Sequence, residues 1–193
     1  MLKNGAFSDG WTDMPPVGNL INQQPHGWTL HWINPGESLF GAGDTAQGVP
    51  ECVHKLSHQL PPNEQAGGSN ALILAGNATY KIFHGGAPFG AELKQTVTGL
   101  KANSEATLTV PVFVDLHGEP DPFGAESGVW VNGEGGWVHG GQMGNRRWFR
   151  HTATFTVPAD GNAEIVIRVK SKWPRPKDFF HRRHCPTSGV HWG

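Results

Sequence analysis

Along much of the chain, apolar residues recur at every second position in short runs separated by Gly, Pro and Asn. That period of two marks strands with one buried face, and the 3.6-residue period of an amphipathic helix is hard to find. The pattern predicts strands over residues 27–33, 71–74, 78–84, 91–97, 106–117, 128–132, 149–157 and 163–170, and therefore an all-β protein. Between Asn34 and Gly68 the alternation fades into Pro-Gly, Gly-Ala-Gly and Leu-Pro-Pro-Asn, which predicts a long functional loop or an inserted hairpin with a short pairing segment at 52–60.

The same period assigns faces. Leu108, Val110, Val112, Val114 and Leu116 share one side of their strand and are assigned to the core, which leaves Thr109, Pro111, Phe113, Asp115 and His117 on the other. Val129 and Val131 point inward, placing Glu126, Trp130 and Asn132 opposite; Ile165, Ile167 and Val169 point inward, placing Glu164, Val166, Arg168 and Lys170 opposite. If these three strands share a sheet, Asp115, His117, Glu126, Trp130, Arg168 and Lys170 form one polar face with an aromatic platform, suited to sugar hydroxyls. An ordinary solvated face with salt bridges is the competing reading. The segment from Trp130 to Gly141 adds Trp137 on a glycine-rich connection that either rims a binding site or simply turns a hairpin. Tyr80, His84, Trp28 and Trp32 are further aromatic candidates, and the spacing of Trp28 and Trp32 puts them on one face with at least one in the core.

Composition narrows the partners. The chain has 193 residues, 16% charged and 37% hydrophobic, with Gly 27, Pro 15, Trp 8 and Tyr 1, the profile of one turn-rich, Trp-rich domain. A formal net charge of −1 supplies no long-range field for nucleic acid or an anionic membrane, so neither partner is expected. No run approaches the roughly 18 apolar residues of a spanning helix, and no signal peptide follows Met1. Cys52 and Cys185 lie in no metal-ligand spacing and are open to one disulfide or two thiols.

Several segments together resemble the carbohydrate-binding modules of the family four/nine type. Asn4-Gly5-Ala6-Phe7-Ser8-Asp9-Gly10-Trp11 with the later Gly27-Trp28 is similar to that family's opening strand, and Ala91-Glu92-Leu93-Lys94-Gln95-Thr96-Val97-Thr98-Gly99-Leu100 to its L-x-Q-T-V-x-G-L run. The segment from Trp148 to Ala159 is similar to its W-x-x-x-x-x-x-F-x-x-P strand. The resemblance implies a two-sheet antiparallel jelly-roll β-sandwich that binds an oligo- or polysaccharide on a concave sheet face or at the loop ends, in a protein of extracellular origin. It also implies a structural calcium, with Ser8 and Asp9 as the metal candidates at the first strand. The family's closing I-D-D-x-x-L strand is not matched, because Asp178-Phe179-Phe180 runs into His181-Arg182-Arg183-His184-Cys185. Residues 1–180 are therefore expected to form a single sandwich, with 181–193 an atypical, disordered or frame-shifted tail lacking the last strand.

The first functional expectation is non-catalytic carbohydrate binding through Trp130, Trp137, Glu126, Asp115, His117, Arg168, Tyr80 and His84. An alternative is a small hydrolase of an ester or lactone, with or without dependence on a metal such as calcium, with Asp115, His117 and Glu126 as catalytic candidates, although no G-x-S-x-G elbow accompanies them. The third reading is a structural or protein-interaction sandwich. The 11 His favour an enzyme, yet neither His54 with His58 nor His181-x-x-His184 matches an established metallo-hydrolase motif.

Overall fold

In a computed structural model, which describes residues 2–41 and 43–181, the chain folds as a jelly-roll β-sandwich of two antiparallel five-stranded sheets and a small hairpin. The hairpin pairs β1 (Trp11–Asp13) with β2 (Gln23–Pro25). The first sheet runs in the order β3 (Thr29–Trp32), β6 (Phe89–Val97), β11 (Ala163–Ser171), β8 (Ala125–Val131), β9 (Glu134–His139). The second runs β10 (Trp148–Thr156), β7 (Glu105–Asp115), β12 (Lys177–His181), β5 (Ala78–His84), β4 (Glu51–Leu56). One short helix, α1 (Gly140–Met143), follows β9.

The core lies between the sheets and is filled by the inward members of each alternation. Leu93, Ile165, Ile167, Val169, Val129 and Val131 come from the first sheet and Leu108, Val110, Val112, Val114, Ile82 and Phe179 from the second, all buried. Side-chain parity on β7, β8 and β11 is as the alternation predicts, because the inward sets share one core while Phe113 belongs to a separate outer cluster; Val166, assigned outward, is nevertheless buried. Residues 71–74, expected as a strand, lie outside the strands; Leu72 instead packs with Phe113 and Phe180 beside Leu60 and Trp148 on the outer side of the second sheet. Trp148 Nε1 donates to Ala71 O at 2.8 Å, which ties that cover to β10.

One strand that the alternation did not predict holds the second sheet together, while the closing strand expected after Asp178-Phe179-Phe180 would lie outside the described residues. Residues 177–181 form β12, which sits between β5 and β7 with Phe179 opposite both Ile82 and Val114. Its Lys-Asp-Phe-Phe-His composition hid it, because charged residues occupy positions that in a central strand are ordinarily apolar. His181 thus belongs to the sandwich, and Cys185, His184 and the rest of the predicted tail lie outside the described residues. Cys52 is buried in the core, where burial pushes its thiol up in pKa. Trp28 is buried and donates to Asn4 O at 3.2 Å, while Trp32 is half-buried against the core.

Three buried histidines make the fold acid-sensitive. Burial lowers His54 and His151 from 6.5 to about 4 and His181 to about 3. His151 shares a 3.0 Å hydrogen bond with Ser127 Oγ across the two sheets, and His54 stacks on Trp11 at 4.4 Å. These rings stay neutral when folded, whereas the unfolded chain takes up protons below its ordinary histidine pKa. Their stabilisation is complete above about 6.5 and is lost as pH falls toward the folded values, by roughly 1–3 kcal/mol per ring. The urea midpoint should fall between pH 7 and pH 4.5, and His151→Leu should flatten part of that slope; a slope unchanged by the substitution would exclude His151 as a contributor.

Candidate functional site

The outer face of the first sheet carries a compact aromatic and charged cluster. Cross-strand register lines up His31, Glu92, Arg168, Gly128 and Trp137 in one row, and Lys170, Glu126 and His139 in the next. Trp130, outward on β8, has bare neighbours: a Cβ at Gly128 would lie 2.5 Å from its Cη2, and one at Gly135 would lie 2.9 Å from its Cγ. The indole can lie along the strand because both positions lack a side chain.

Around that ring the charges are paired and stacked. The Arg168 guanidinium stands 4.8 Å from the Trp130 ring centre and 5.1 Å from that of Phe40, and its Nε donates to Glu92 Oε2 at 2.6 Å. Lys170 Nζ stands 4.3 Å from the Trp137 ring centre and 3.1 Å from Glu126 Oε2, with Lys172 at 3.6 Å from the same oxygen. Trp130 and Trp137 meet edge to face at 5.0 Å, and Phe40 tilts against Trp137 at 5.3 Å. Phe40 was not among the sequence candidates. It lies in the 34–68 stretch marked as a functional loop and reaches the sheet from a left-handed turn, at φ 55°.

Asp115 and His117 do not join this cluster. Alternation places a residue on a face but cannot say which sheet its strand enters, and β7 lies in the second sheet. There the register sets Asp178 directly opposite Asp115, and His117 Nε2 lies 2.6 Å from Asp178 Oδ2. Asp115 accepts from the His117 N–H at 2.9 Å and from Arg146 Nη1. Burial raises the Asp178 pKa, opposed in turn by Lys81 and His117. An Asp–His pair of this kind can orient an imidazole for proton transfer. Glu126 is on the opposite sheet, so the trio Asp115, His117 and Glu126 is not assembled. Asp178 was missed from the sequence because its only signal was cross-strand register.

The remaining candidates have structural surroundings. Tyr80 is fully buried and donates to Gln23 O at 2.7 Å. Parity with Ala78 and Ile82 could have assigned it inward. His84 Nδ1 accepts from the N–H groups of Gly86 and Ala87 at 3.0 and 2.9 Å, pinning the turn after β5, and burial lowers its pKa. His54 is buried while His58 is exposed on the following turn, so the two do not converge. Ser8 and Asp9 lie exposed in the first loop, 3.5 Å apart, and Asp9 N–H donates to Asn4 Oδ1 at 2.9 Å. Asp9 is the carboxylate of that pair, so most of calcium's six to eight oxygens would have to come from backbone carbonyls and water. Among the described residues, one group of three metal-ligating side chains converges, Asp115, His117 and Asp178. None of the described helices is long and apolar enough to cross a membrane.

No family model matches the chain, and no curated protein does. Among solved structures, one described as TmCBM61 in complex with β-1,4-galactotriose aligns with a TM-score of 0.55 at 14% identity, covering 94% of this chain and 92% of that chain. Another, described as belonging to carbohydrate-binding modules of the β-sandwich superfamily, aligns at 0.44 and 14% identity over 81% of this chain and 55% of that one. A third, described as a CBM4, aligns at 0.43 and 13% identity over 93% and 95%. The likeness to the first defines the class of the fold, a β-sandwich of the kind found in carbohydrate-binding modules.

The arrangement around Trp130 is testable without a ligand. Gly128→Ala should displace the indole and push against Gly136 O, which a Cβ would approach to 2.5 Å. The edge-to-face tryptophan pair should lose its circular-dichroism couplet, at a cost of about 1–3 kcal/mol of stability. An unchanged couplet would refute the placement of the ring over Gly128.

Proposed function

We propose that this protein is a non-catalytic carbohydrate-binding module that holds an oligo- or polysaccharide on the outer face of the sheet containing β8 and β11. The observation that carries this reading is the Trp130 ring laid over Gly128 and Gly135 between two ion pairs, Arg168 with Glu92 and Lys170 with Glu126. A flat indole packs on the apolar face of a pyranose, while guanidinium, ammonium and carboxylate groups fix the directions of its hydroxyls. Trp137 and Phe40 extend the platform toward the loop rim. The fold likeness to a module described in complex with β-1,4-galactotriose supports the same class of ligand. An extracellular glycan-rich setting suits such a protein, and calcium, if bound at Ser8 and Asp9, would brace the first loop away from this face.

Trp130→Ala should weaken binding in calorimetry against galactan, β-glucan, xylan, mannan and chitin oligosaccharides by about 5- to 150-fold, or 1–3 kcal/mol. Its effect on stability should be smaller than the roughly 3–5 kcal/mol lost with a buried Trp. Full affinity in a strongly destabilised variant would move the binding surface elsewhere, and no binding by the wild type across the panel would remove the reading.

A second reading, hydrolysis of an ester or lactone, rests on the 2.6 Å contact between His117 Nε2 and Asp178 Oδ2. It predicts chelator-sensitive turnover of an ester or lactone panel that is lost in His117→Ala. The absence of turnover by the wild type would dismiss it.

A further inference from the structure

The second sheet carries a group of side chains that the sugar-binding reading does not use. Asp115 ends β7, Asp178 lies beside it on β12, and His117 folds back over both. One ligating atom from each lies within 4.8 Å of the others. The backbone is bent to make this happen. His117 has φ 48°, a left-handed conformation that a non-glycine residue adopts at some cost, and Asp115 Oδ1 holds the turn by accepting the His117 N–H. Arg146, at φ 51°, clamps the other Asp115 oxygen.

The charges around this group do not cancel. Lys81 pairs with Glu51 and Asp178, and Arg146 pairs with Glu64 and Asp115, so two fixed cations face four carboxylates, and His117 links the two sets. Asp178 is only 8% exposed, and its Oδ1 accepts no hydrogen bond, with the Lys81 ammonium 3.5 Å away. Lys81 therefore meets that oxygen as a charge without a hydrogen bond, and beside more carboxylates than fixed cations its lone pairs are left to accept a further cation. The His117 side chain is 37% exposed, so the group opens to solvent on one side.

We propose that Asp115, His117 and Asp178 bind one divalent transition-metal ion of the zinc type. Two carboxylate oxygens and an imidazole nitrogen are a donor set for zinc and its first-row neighbours, which accept three protein ligands and leave a position open to water or ligand. Calcium prefers oxygen donors in larger number, and this group offers it a nitrogen instead. Phe83 packs against the His117 ring at 6.2 Å, and Lys81 lies 4.2 Å from the Phe83 ring centre, so the imidazole is oriented from a second side. The site lies on the sheet opposite Trp130 and does not depend on the sugar-binding reading.

The test is titration of the full chain with zinc, and separately with calcium, by calorimetry and thermal melting. Zinc should bind at one equivalent and raise the melting temperature, and calcium should bind at least tenfold more weakly. His117→Gln and Asp178→Asn should each weaken zinc at least tenfold. In the wild-type chain, Mn²⁺ should broaden the His117 and Phe83 ring signals in NMR before those of other histidines, a readout that needs no variant. Failure to bind zinc, preference for calcium, wild-type zinc affinity in both variants, or broadening that begins elsewhere would each overturn the assignment.

Discussion

The structure depends on β12 being drawn into the middle of a sheet already divided on either side of it. Without that strand, β10 with β7 and β5 with β4 are two ribbons whose facing edges have unpaired backbone groups. Pairing to both neighbours satisfies those edges and delivers Phe179 to the core between Ile82 and Val114. The strand comes last among the described residues and all five of its residues are buried, so the second sheet is completed by a long-range pairing. The same step creates the cluster on the outer face, since Asp178 reaches Asp115 only when Phe179 points inward.

The two outer faces then take different courses. On the second sheet, the segment between β4 and β5 folds back so that Leu60 and Leu72 cover Phe113, Phe180 and Trp148. What remains open there is the threonine-rich stretch of β7 and β10, with Thr109, Thr152 and Thr154 exposed, and the charged end of β7 and β12. On the first sheet the outward positions of β8, β9 and β11 keep a half-buried aromatic surface, with Phe40 and Leu39 of one loop lying over Gly90 and Phe123 against His139 at its margins. Large side chains held on a solvent-facing sheet and only partly covered by the chain's own loops suit the ligand-binding role proposed for this face.

Local alternation made one level of this organisation legible and concealed the next. The parity of Val129 and Val131 placed Trp130 and Glu126 outward, and that of Ile165, Ile167 and Val169 did the same for Arg168 and Lys170; these four residues do share a face. Asp115 and His117 were grouped with them because period two carries no information about sheet membership. Strand order in a jelly roll is set by non-local pairing, such as β12 with β7 across more than sixty residues, and no local pattern encodes it. Phe40 and Asp178 escaped for related reasons, one arriving from a loop without periodicity and the other from a strand whose charges disguised it. Tyr80 illustrates the reverse error: its chemistry suggested a ligand while its parity with Ala78 and Ile82 pointed to the core.

The pairing of charges on the first sheet bears on what kind of ligand the surface favours. Arg168 is already bound to Glu92, and Lys170, only 4% exposed, is already bound to Glu126, so neither is a free cation waiting for an anion. An anionic ligand would have to compete with those carboxylates and would face their repulsion, at a desolvation cost that buried ion pairs do not readily return. A neutral, hydroxyl-rich ligand faces no such competition, because carboxylate lone pairs and remaining N–H groups can each accept or donate to a hydroxyl while the ion pairs stay intact. The rings and charges that would touch it are already held in place by mutual stacking, which reduces the ordering cost of binding. If this face is the binding surface, as proposed, paired cations on an aromatic floor favour a neutral sugar over a phosphate or an acidic polymer, and they do so by chemistry independent of the fold likeness.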